Sequence, residues 1–205
     1  MNIKAVVFDY GKVICFPPED STGAELAAIA QVEQEKLDAM RWKYRDDYDR
    51  GLIDGIEYYG RILKKLGKAA DAERDKKLDE IDGDSWKRIN PGTVKLMEDV
   101  KKAGCLLGIL SNMPFGFLEW ARKSLPVFSL PHAGIFSCEA GFIKPEKAIY
   151  KKLLSELKCC GEEVVFFDDI PINVEKAREL GINAFLWEDP EKARLELNGL
   201  GVKLC

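Results

Sequence analysis

The sequence of 205 residues lacks the features of several classes of protein. No apolar run approaches the roughly 20 residues that cross a bilayer, and "MNIKAVVFDY" runs straight into a strand pattern instead of a signal peptide. A basic stripe is also missing, because 31 Lys and Arg stand against 35 Asp and Glu, which gives a net charge of −4. We therefore expect a cytoplasmic protein with no nucleic-acid partner and no membrane partner.

Histidine and paired cysteines are scarce as well. His132 is the only histidine, and it lies in a loop that enters a strand, so we interpret it as structural. The cysteines show no Cys-x-x-Cys spacing, which favours reduced thiols over metal ligands or disulfides. They are Cys15, Cys105, Cys138, Cys159, Cys160 and Cys205. The glycine-rich nucleotide motifs and the Gly-x-Ser-x-Gly elbow are absent. Any chemistry must then come from carboxylates, lysine and metal.

Two kinds of hydrophobic pattern divide the chain. Residues 16–89 show only helical periodicity, whereas residues 90–205 alternate apolar runs such as "CLLGIL" and "AGIFSCE", read as strands, with amphipathic helices. This alternation predicts an α/β fold, a parallel sheet with helices on both faces. The first strand, "AVVF", belongs to the same sheet. We therefore predict a core of residues 1–15 and 90–205, and a helical cap of residues 16–89 inserted beside Asp9.

Polar side chains follow three of the predicted strands, and a lysine lies in a nearby loop. They are Asp9, Ser111 and Asn112, Asp168 and Asp169, and Lys144 in "AGFIKPE". Each residue alone also fits a helix cap, a turn or a solvated loop. Ligands of parallel α/β sheets bind outside the carboxyl ends of the strands, so we expect these residues to form one site.

Carboxylates that converge at one sheet edge repel each other, and burial strengthens the repulsion. A divalent cation removes it, and Mg²⁺ prefers oxygen ligands together with a substrate phosphate. A lysine and a Ser-Asn pair would then bind the phosphoryl oxygens. The residues thus favour a metal-dependent reaction of a phosphate ester.

Four segments in order, "VVFDYGKVI", "GILSN", "GFIKPEKAIY" and "VVFFDDIPINVEKARELGI", resemble the four motifs of the haloacid dehalogenase-like (HAD) hydrolase superfamily. The resemblance covers the whole chain, and "YDRGLIDGIEYYGRIL" is similar to cap segments of its phosphatase branch. The first motif most resembles that of small bacterial sugar-phosphate phosphatases, including the α-glucose-1-phosphate phosphatase type. The resemblance implies a Rossmann-like three-layer core with a small α-helical cap, and Mg²⁺-dependent hydrolysis of a small phosphorylated metabolite.

The resemblance also implies roles for the residues that bind and attack the phosphoryl group. Asp9 would be the nucleophile that forms an aspartyl-phosphate. Ser111, with Asn112 beside it, would bind the phosphoryl group. Lys144 would neutralise both the nucleophile and the phosphate.

A second set of roles concerns the metal. Asp169, the Asp9 carboxylate and the Gly11 carbonyl would ligate Mg²⁺, and Asp168 and Asn173 would support that ligation. Most members of the superfamily carry a second Asp at the position of Gly11, where it protonates the leaving group and activates water. A carbonyl serves the metal whatever the side chain, so the departure concerns acid-base catalysis.

The sequence leaves several alternatives open. The leaving oxygen would depart as an alkoxide, or would take a proton from water or from a cap residue, Glu19 and Asp20 being the nearest acids in sequence. Gly11 is also compatible with a non-catalytic binding protein, and a haloacid dehalogenase would use Asp9 without a metal. The cap residues that could reach the pocket are equally compatible with packing. They are Tyr44, Arg45, Tyr58, Tyr59 and Arg61.

Overall fold

A computed structural model describes residues 2–204 of the chain. Its sheet has five parallel strands in the order β3-β2-β1-β4-β5. The strands are β1 (Ala5–Phe8), β2 (Leu106–Ser111), β3 (Ala133–Phe136), β4 (Val164–Asp168) and β5 (Asn183–Leu186). The α/β, Rossmann-like class predicted from the sequence is confirmed.

Helices fill the remainder of the fold. Between β1 and β2 lie α1 (Asp20–Ala30), α2 (Gln34–Lys43), α3 (Arg45–Asp49), α4 (Gly55–Lys65), α5 (Ala72–Ser85) and α6 (Pro91–Lys102). Beyond β2 follow α7 (Phe115–Ser124), α8 (Ser137–Ala140), α9 (Lys147–Leu157), α10 (Pro171–Arg178) and α11 (Pro190–Gly199). No helix within residues 2–204 is long and apolar enough to cross a membrane.

The central strand β1 explains the apolar run that opens the sequence. All four of its side chains are buried, and they alternate between two hydrophobic clusters. Val6 and Phe8 belong to one cluster, and Ala5 and Val7 belong to the other. Because helices cover both faces of the sheet, the strand needs apolar residues at every position.

Helices α1–α5, the cap helices, surround a third hydrophobic cluster of their own, which includes Leu26, Leu37 and Leu78. The two connections to the sheet run side by side, through an antiparallel bridge between Cys15 and Ile89. This arrangement agrees with a helical unit inserted after β1. Its boundaries at residues 16 and 89 stay a prediction.

Two local predictions differ from the structure. The segment "AGIFSCE" is predicted to be one strand, but β3 ends at Phe136 and Ser137 begins α8. This helix ends at Ala140 and is followed by Gly141 in the left-handed region at φ 73°. The helical pattern from residue 23 to residue 40 is broken at Gln31, whose φ is 55°. The five described cysteines are free thiols, and the prediction for Cys205 lies outside the described residues.

Candidate active site

The end of β1 places Asp9 beside the end of β4. Phe8 pairs with Phe167 in the parallel register, and the ladder continues when the Asp9 amide donates to the Phe167 carbonyl at 2.9 Å. Asp9 is therefore the strand-end neighbour of Asp168. Its Oδ1 accepts a hydrogen bond from the Tyr10 amide at 2.6 Å, which helps to fix the carboxylate where the chain leaves the sheet.

Lys144 is the buried cation of the site, with 4% of its surface exposed. Its Nζ lies 2.8 Å from Asp9 Oδ1 and 2.6 Å from Asp168 Oδ2. The Asn112 side chain holds the Lys144 backbone, because its Oδ1 accepts from the Lys144 amide at 2.8 Å and its Nδ2 donates to the Lys144 carbonyl at 3.0 Å. Asn112 thus positions the lysine, while its contact with a phosphoryl group stays a prediction.

Asp168 is fully buried behind Asp9. Besides Lys144, its carboxylate accepts hydrogen bonds from Asn173 Nδ2 at 3.0 and 3.2 Å and from the Ile170 amide at 2.8 Å. Asn173 belongs to α10, which begins directly after this strand end. Asp168 is thus held in place by its neighbours, in keeping with a supporting role.

Asp9, Asp168 and Asp169 bring oxygen atoms within 4.8 Å of one another. We call these three carboxylates and Lys144 the strand-end cluster. Three carboxylate oxygens at this spacing are hard donors of the kind that Mg²⁺ takes, so the donor set fits the predicted ion. Gly11 lines the cavity next to the cluster, as its predicted role requires.

The electrostatics of the strand-end cluster reflect its excess of negative charge. Burial raises the pKa of Asp9 to about 7, and Lys144 opposes this rise while Asp168 adds to it. Burial acts to lower the pKa of Lys144, but the carboxylates of Asp168 and Asp9 outweigh it and raise that pKa overall. Burial also raises the pKa of Asp169, against the pull of Lys12, whose Nζ lies 3.4 Å away. The lysine is thus held cationic, while Asp9 is under-compensated.

A cavity of about 240 Å³ lies over the strand-end cluster, between the sheet edge and the cap helices. Seven of the eight residues predicted for the site line it, and the eighth, Asp168, contacts two of them. The seven are Asp9, Gly11, Ser111, Asn112, Lys144, Asp169 and Asn173. The residues predicted from the sequence therefore lie together on the part of the cavity that the sheet edge forms.

The cap residues that line the cavity are mostly not those that the sequence suggested. Of the five cap residues named as candidates, only Arg45 lines it; Tyr44, Tyr58 and Arg61 line a separate cavity, and Tyr59 is buried among the cap helices. Glu19 and Asp20 line a third cavity. Among the other lining residues that were not predicted are Trp42, Asp46, Asp49 and Trp86 of the cap and Phe117 of α7. No motif marks them, because the packing of the helices alone brings them to the sheet edge.

Comparisons with family models and with known sequences show which proteins the chain resembles. A family model described as haloacid dehalogenase-like hydrolase matches residues 3–181. The chain is 34% identical over 125 residues to bifunctional epoxide hydrolase 2 of Sus scrofa, a match that covers 58% of this chain and 22% of that protein. The chain thus spans about a fifth of the length of this relative.

Solved structures match a larger share of the chain than this relative does. A HAD family enzyme of Bacteroides thetaiotaomicron, solved in complex with magnesium and inorganic phosphate, superposes with a TM-score of 0.73 at 23% identity and covers 92% of this chain and 96% of that one. An L-2-haloacid dehalogenase superposes with a TM-score of 0.71 at 19% identity, with coverage of 91% and 86%. At these identities the likeness shows a shared fold.

Proposed function

This chain belongs to the haloacid dehalogenase-like hydrolase family, and we propose that it hydrolyses a small phosphomonoester, specifically a sugar phosphate, with the help of Mg²⁺. One observation carries the proposal. A buried carboxylate, Asp9, lies on a cavity floor between a buried lysine and two further carboxylates. The magnesium and inorganic phosphate in the structure of the Bacteroides enzyme lend support to the same choice of ion and ligand.

In the proposed reaction Asp9 attacks the phosphorus atom and forms an aspartyl-phosphate, which water then hydrolyses. Lys144 Nζ, 2.8 Å from the nucleophile, offsets the charge of Asp9 and of the incoming phosphate. Ser111, buried at the end of β2, would donate its hydroxyl to a phosphoryl oxygen. Mg²⁺ held by Asp9, Asp169 and the Gly11 carbonyl would supply further positive charge at the phosphate.

A second candidate function is haloacid dehalogenation, which the likeness to the L-2-haloacid dehalogenase favours. Such a reaction would also use Asp9 to displace a leaving group. It needs no metal, and although Asp168 would still hold Lys144 in place, the carboxylate of Asp169 would then have no evident use. The presence of three carboxylates in the strand-end cluster therefore favours phosphate chemistry.

A panel of phosphorylated metabolites, assayed with and without Mg²⁺, tests the proposal. We expect phosphate release from sugar phosphates that depends on Mg²⁺. Asp169→Asn should raise the Mg²⁺ concentration needed for half-maximal rate, because one ligand loses its charge. Glu156→Gln, at an exposed position of α9, is the matched control and should leave that concentration unchanged.

Two outcomes would contradict the proposal. Halide release from 2-haloacids in the absence of metal, with no phosphate released from any ester, would assign the dehalogenase reaction. Saturable binding of phosphorylated metabolites without any turnover would assign a binding function instead.

A further inference from the structure

The proposed reaction needs a proton for the departing oxygen, and the position two residues after the nucleophile is a glycine, Gly11. We propose that Asp49, at the end of α3, donates this proton and later accepts one from the attacking water. The proposal rests on the proposed function and deepens it, since it assigns the acid and base of the same site.

The other groups that line the cavity are less suited to the task. Lys12 pairs with Asp169, and the Tyr10 hydroxyl donates to the Trp86 carbonyl at 2.7 Å, while burial raises its pKa far above the usual value. Two carboxyl groups remain outside the strand-end cluster, Asp46 and Asp49. Both belong to α3, one of the cap helices.

These two carboxyl groups differ in their exposure to solvent. Asp46 is exposed, whereas Asp49 is buried, with 7% of its surface exposed. Burial raises the pKa of Asp49 above its usual value, against the opposing charge of Arg45. A raised pKa favours the protonated form that a general acid requires. Of the two, Asp49 is therefore the better proton donor.

Hydrogen bonds tie Asp49 to the part of the core that would hold the phosphate. The Ser137 hydroxyl donates to the Asp49 carbonyl at 2.5 Å and accepts from the Met113 amide at 2.9 Å. Met113 lines the cavity two residues after Ser111. The backbone of Asp49 is thus fixed relative to the phosphate-binding segment, although it belongs to the cap helices.

Arg45 orients the carboxyl group and leaves one oxygen available. Its Nε donates to Asp49 Oδ1 at 3.0 Å, so this contact engages one of the two carboxyl oxygens. Once the proton has been given away, the guanidinium stabilises the resulting carboxylate. The same pair is then ready to act as a base.

The proton balance closes over the two steps. In the first, the Asp9 carboxylate forms a bond to phosphorus, the bond from phosphorus to the leaving oxygen breaks, and that oxygen takes the proton of Asp49. In the second, water gives a proton to the Asp49 carboxylate as its oxygen attacks phosphorus. The bond between Asp9 and phosphorus breaks, and inorganic phosphate and the starting forms of both side chains result.

The test compares a poor and a good leaving group under conditions where chemistry limits the rate. Asp49→Asn should lower kcat/KM for an alkyl phosphate by about 10²- to 10⁴-fold, the usual contribution of general acid catalysis. For nitrophenyl phosphate, whose leaving group needs no proton, kcat/KM should fall much less. Asp46→Asn, on the same helix and the same cavity, should change both substrates by the same factor.

Two further measurements make the proposal falsifiable. The Asp49→Asn variant lacks the base for the second step, so nitrophenyl phosphate should produce a burst of nitrophenol and an aspartyl-phosphate that can be trapped. The wild type, with its acid in place, should show a shallow dependence of kcat/KM on leaving-group pKa. Equal losses on both substrates, or a steep dependence in the wild type, would overturn the assignment.

Failure of this inference can be told apart from failure of the proposed function. If the wild type releases phosphate from both esters while Asp49→Asn affects them equally, only the role of Asp49 is wrong. If the wild type releases phosphate from neither ester with Mg²⁺ present, both the proposed function and the role of Asp49 are wrong.

Discussion

The protein holds two groups of largely buried charges, one at the sheet edge and one among the cap helices. The strand-end cluster sets three carboxylates against one buried lysine. The second group, which we call the cap cluster, consists of Arg41, Arg45, Asp49 and Asp82. It sets two guanidinium groups against two carboxylates. The first group has an excess of negative charge, and the second is balanced.

The pKa values of Asp9 and Asp82 record this difference. Burial raises the pKa of Asp9 to about 7, because one lysine does not offset the loss of solvation. Burial acts on Asp82 in the same direction, but Arg45 and Arg41 outweigh it and lower the pKa of Asp82 overall. The compensation in the cap cluster is centred on Asp82, since burial outweighs Arg45 at Asp49 and raises the pKa of that carboxyl. The strand-end cluster keeps an excess of negative charge, in keeping with the proposal that a cation and a phosphate complete it.

The largest effect should come from Asp9→Asn, which removes the nucleophile. We expect phosphate release to be abolished at saturating Mg²⁺, because an amide does not form the aspartyl-phosphate. The free energy of unfolding of the metal-free protein should not decrease, since the change removes a charge that burial disfavours. Phosphate assays and urea unfolding measure the two quantities. Wild-type turnover in the variant would show that Asp9 is not the nucleophile.

In the cap cluster, Asp82→Asn should instead act on stability. It leaves Arg41 and Arg45 without their shared carboxylate, and removing one partner of a buried ion pair costs about 3–5 kcal/mol. Glu80→Gln, on the same helix in an exposed pair with Lys76, should change the free energy of unfolding by less than about 1 kcal/mol. Equal effects of the two changes in urea unfolding would mean that the cap cluster contributes nothing beyond surface charge.

The pH dependence of unfolding should report the same carboxylate. The pKa of Asp82 is lower in the folded protein than its ordinary value of 3.8. Its contribution to stability is thus present above that value and is lost as pH falls through the lower, folded pKa. We expect the free energy of unfolding, measured in urea from neutral pH to strong acid, to differ between wild type and Asp82→Asn. This difference should shrink below about pH 4.

Much of the strand-end cluster could be predicted from the sequence, and little of the cap half. Asp9 and Asp168 each follow an apolar run, and parallel strands in register bring such positions together, whatever the rest of the chain does. By contrast, Asp49 and Trp86 lie on different cap segments and meet only because of how the helices pack. Helical periodicity indicates which face is apolar, but it does not indicate where the helix will lie over the sheet.

Local hydrogen bonds account for the other differences. The apolar pattern of "AGIFSCE" extends past Phe136, but Ser137 turns inward to bond the Asp49 carbonyl and the Met113 amide, and a helix begins there. The same serine ties the cap helices to the core. A signal for it was absent from the sequence, because both partners are backbone groups far away along the chain.

Lys144→Ala tests the single cation of the strand-end cluster. We expect kcat/KM to fall by at least about 100-fold, on the order of 3 kcal/mol, because a desolvated charge-assisted contact with nucleophile and phosphate is lost. Lys147→Ala is the matched control, since this neighbouring lysine is exposed and pairs only with Glu179 among the described residues. A loss within twofold for Lys144→Ala would assign that lysine a merely structural role.

The smallest effect should come from Arg50, which joins the cap helices to the loop that carries Lys144. Its guanidinium donates to both oxygens of Glu146, at 2.8 and 2.6 Å, and Glu146 Oε2 also accepts from the Ile143 amide at 3.1 Å. A partly exposed pair of this kind contributes about 0.2–1 kcal/mol, so Arg50→Gln should lower kcat/KM only a few-fold. Combined with Glu146→Gln in a double-mutant cycle, it should show a coupling energy that disappears near 1 M salt. A coupling energy of zero at low salt would assign the alignment of the two halves of the cavity to other contacts, such as the bonds from the Ser137 hydroxyl to the Asp49 carbonyl and from the Tyr10 hydroxyl to the Trp86 carbonyl.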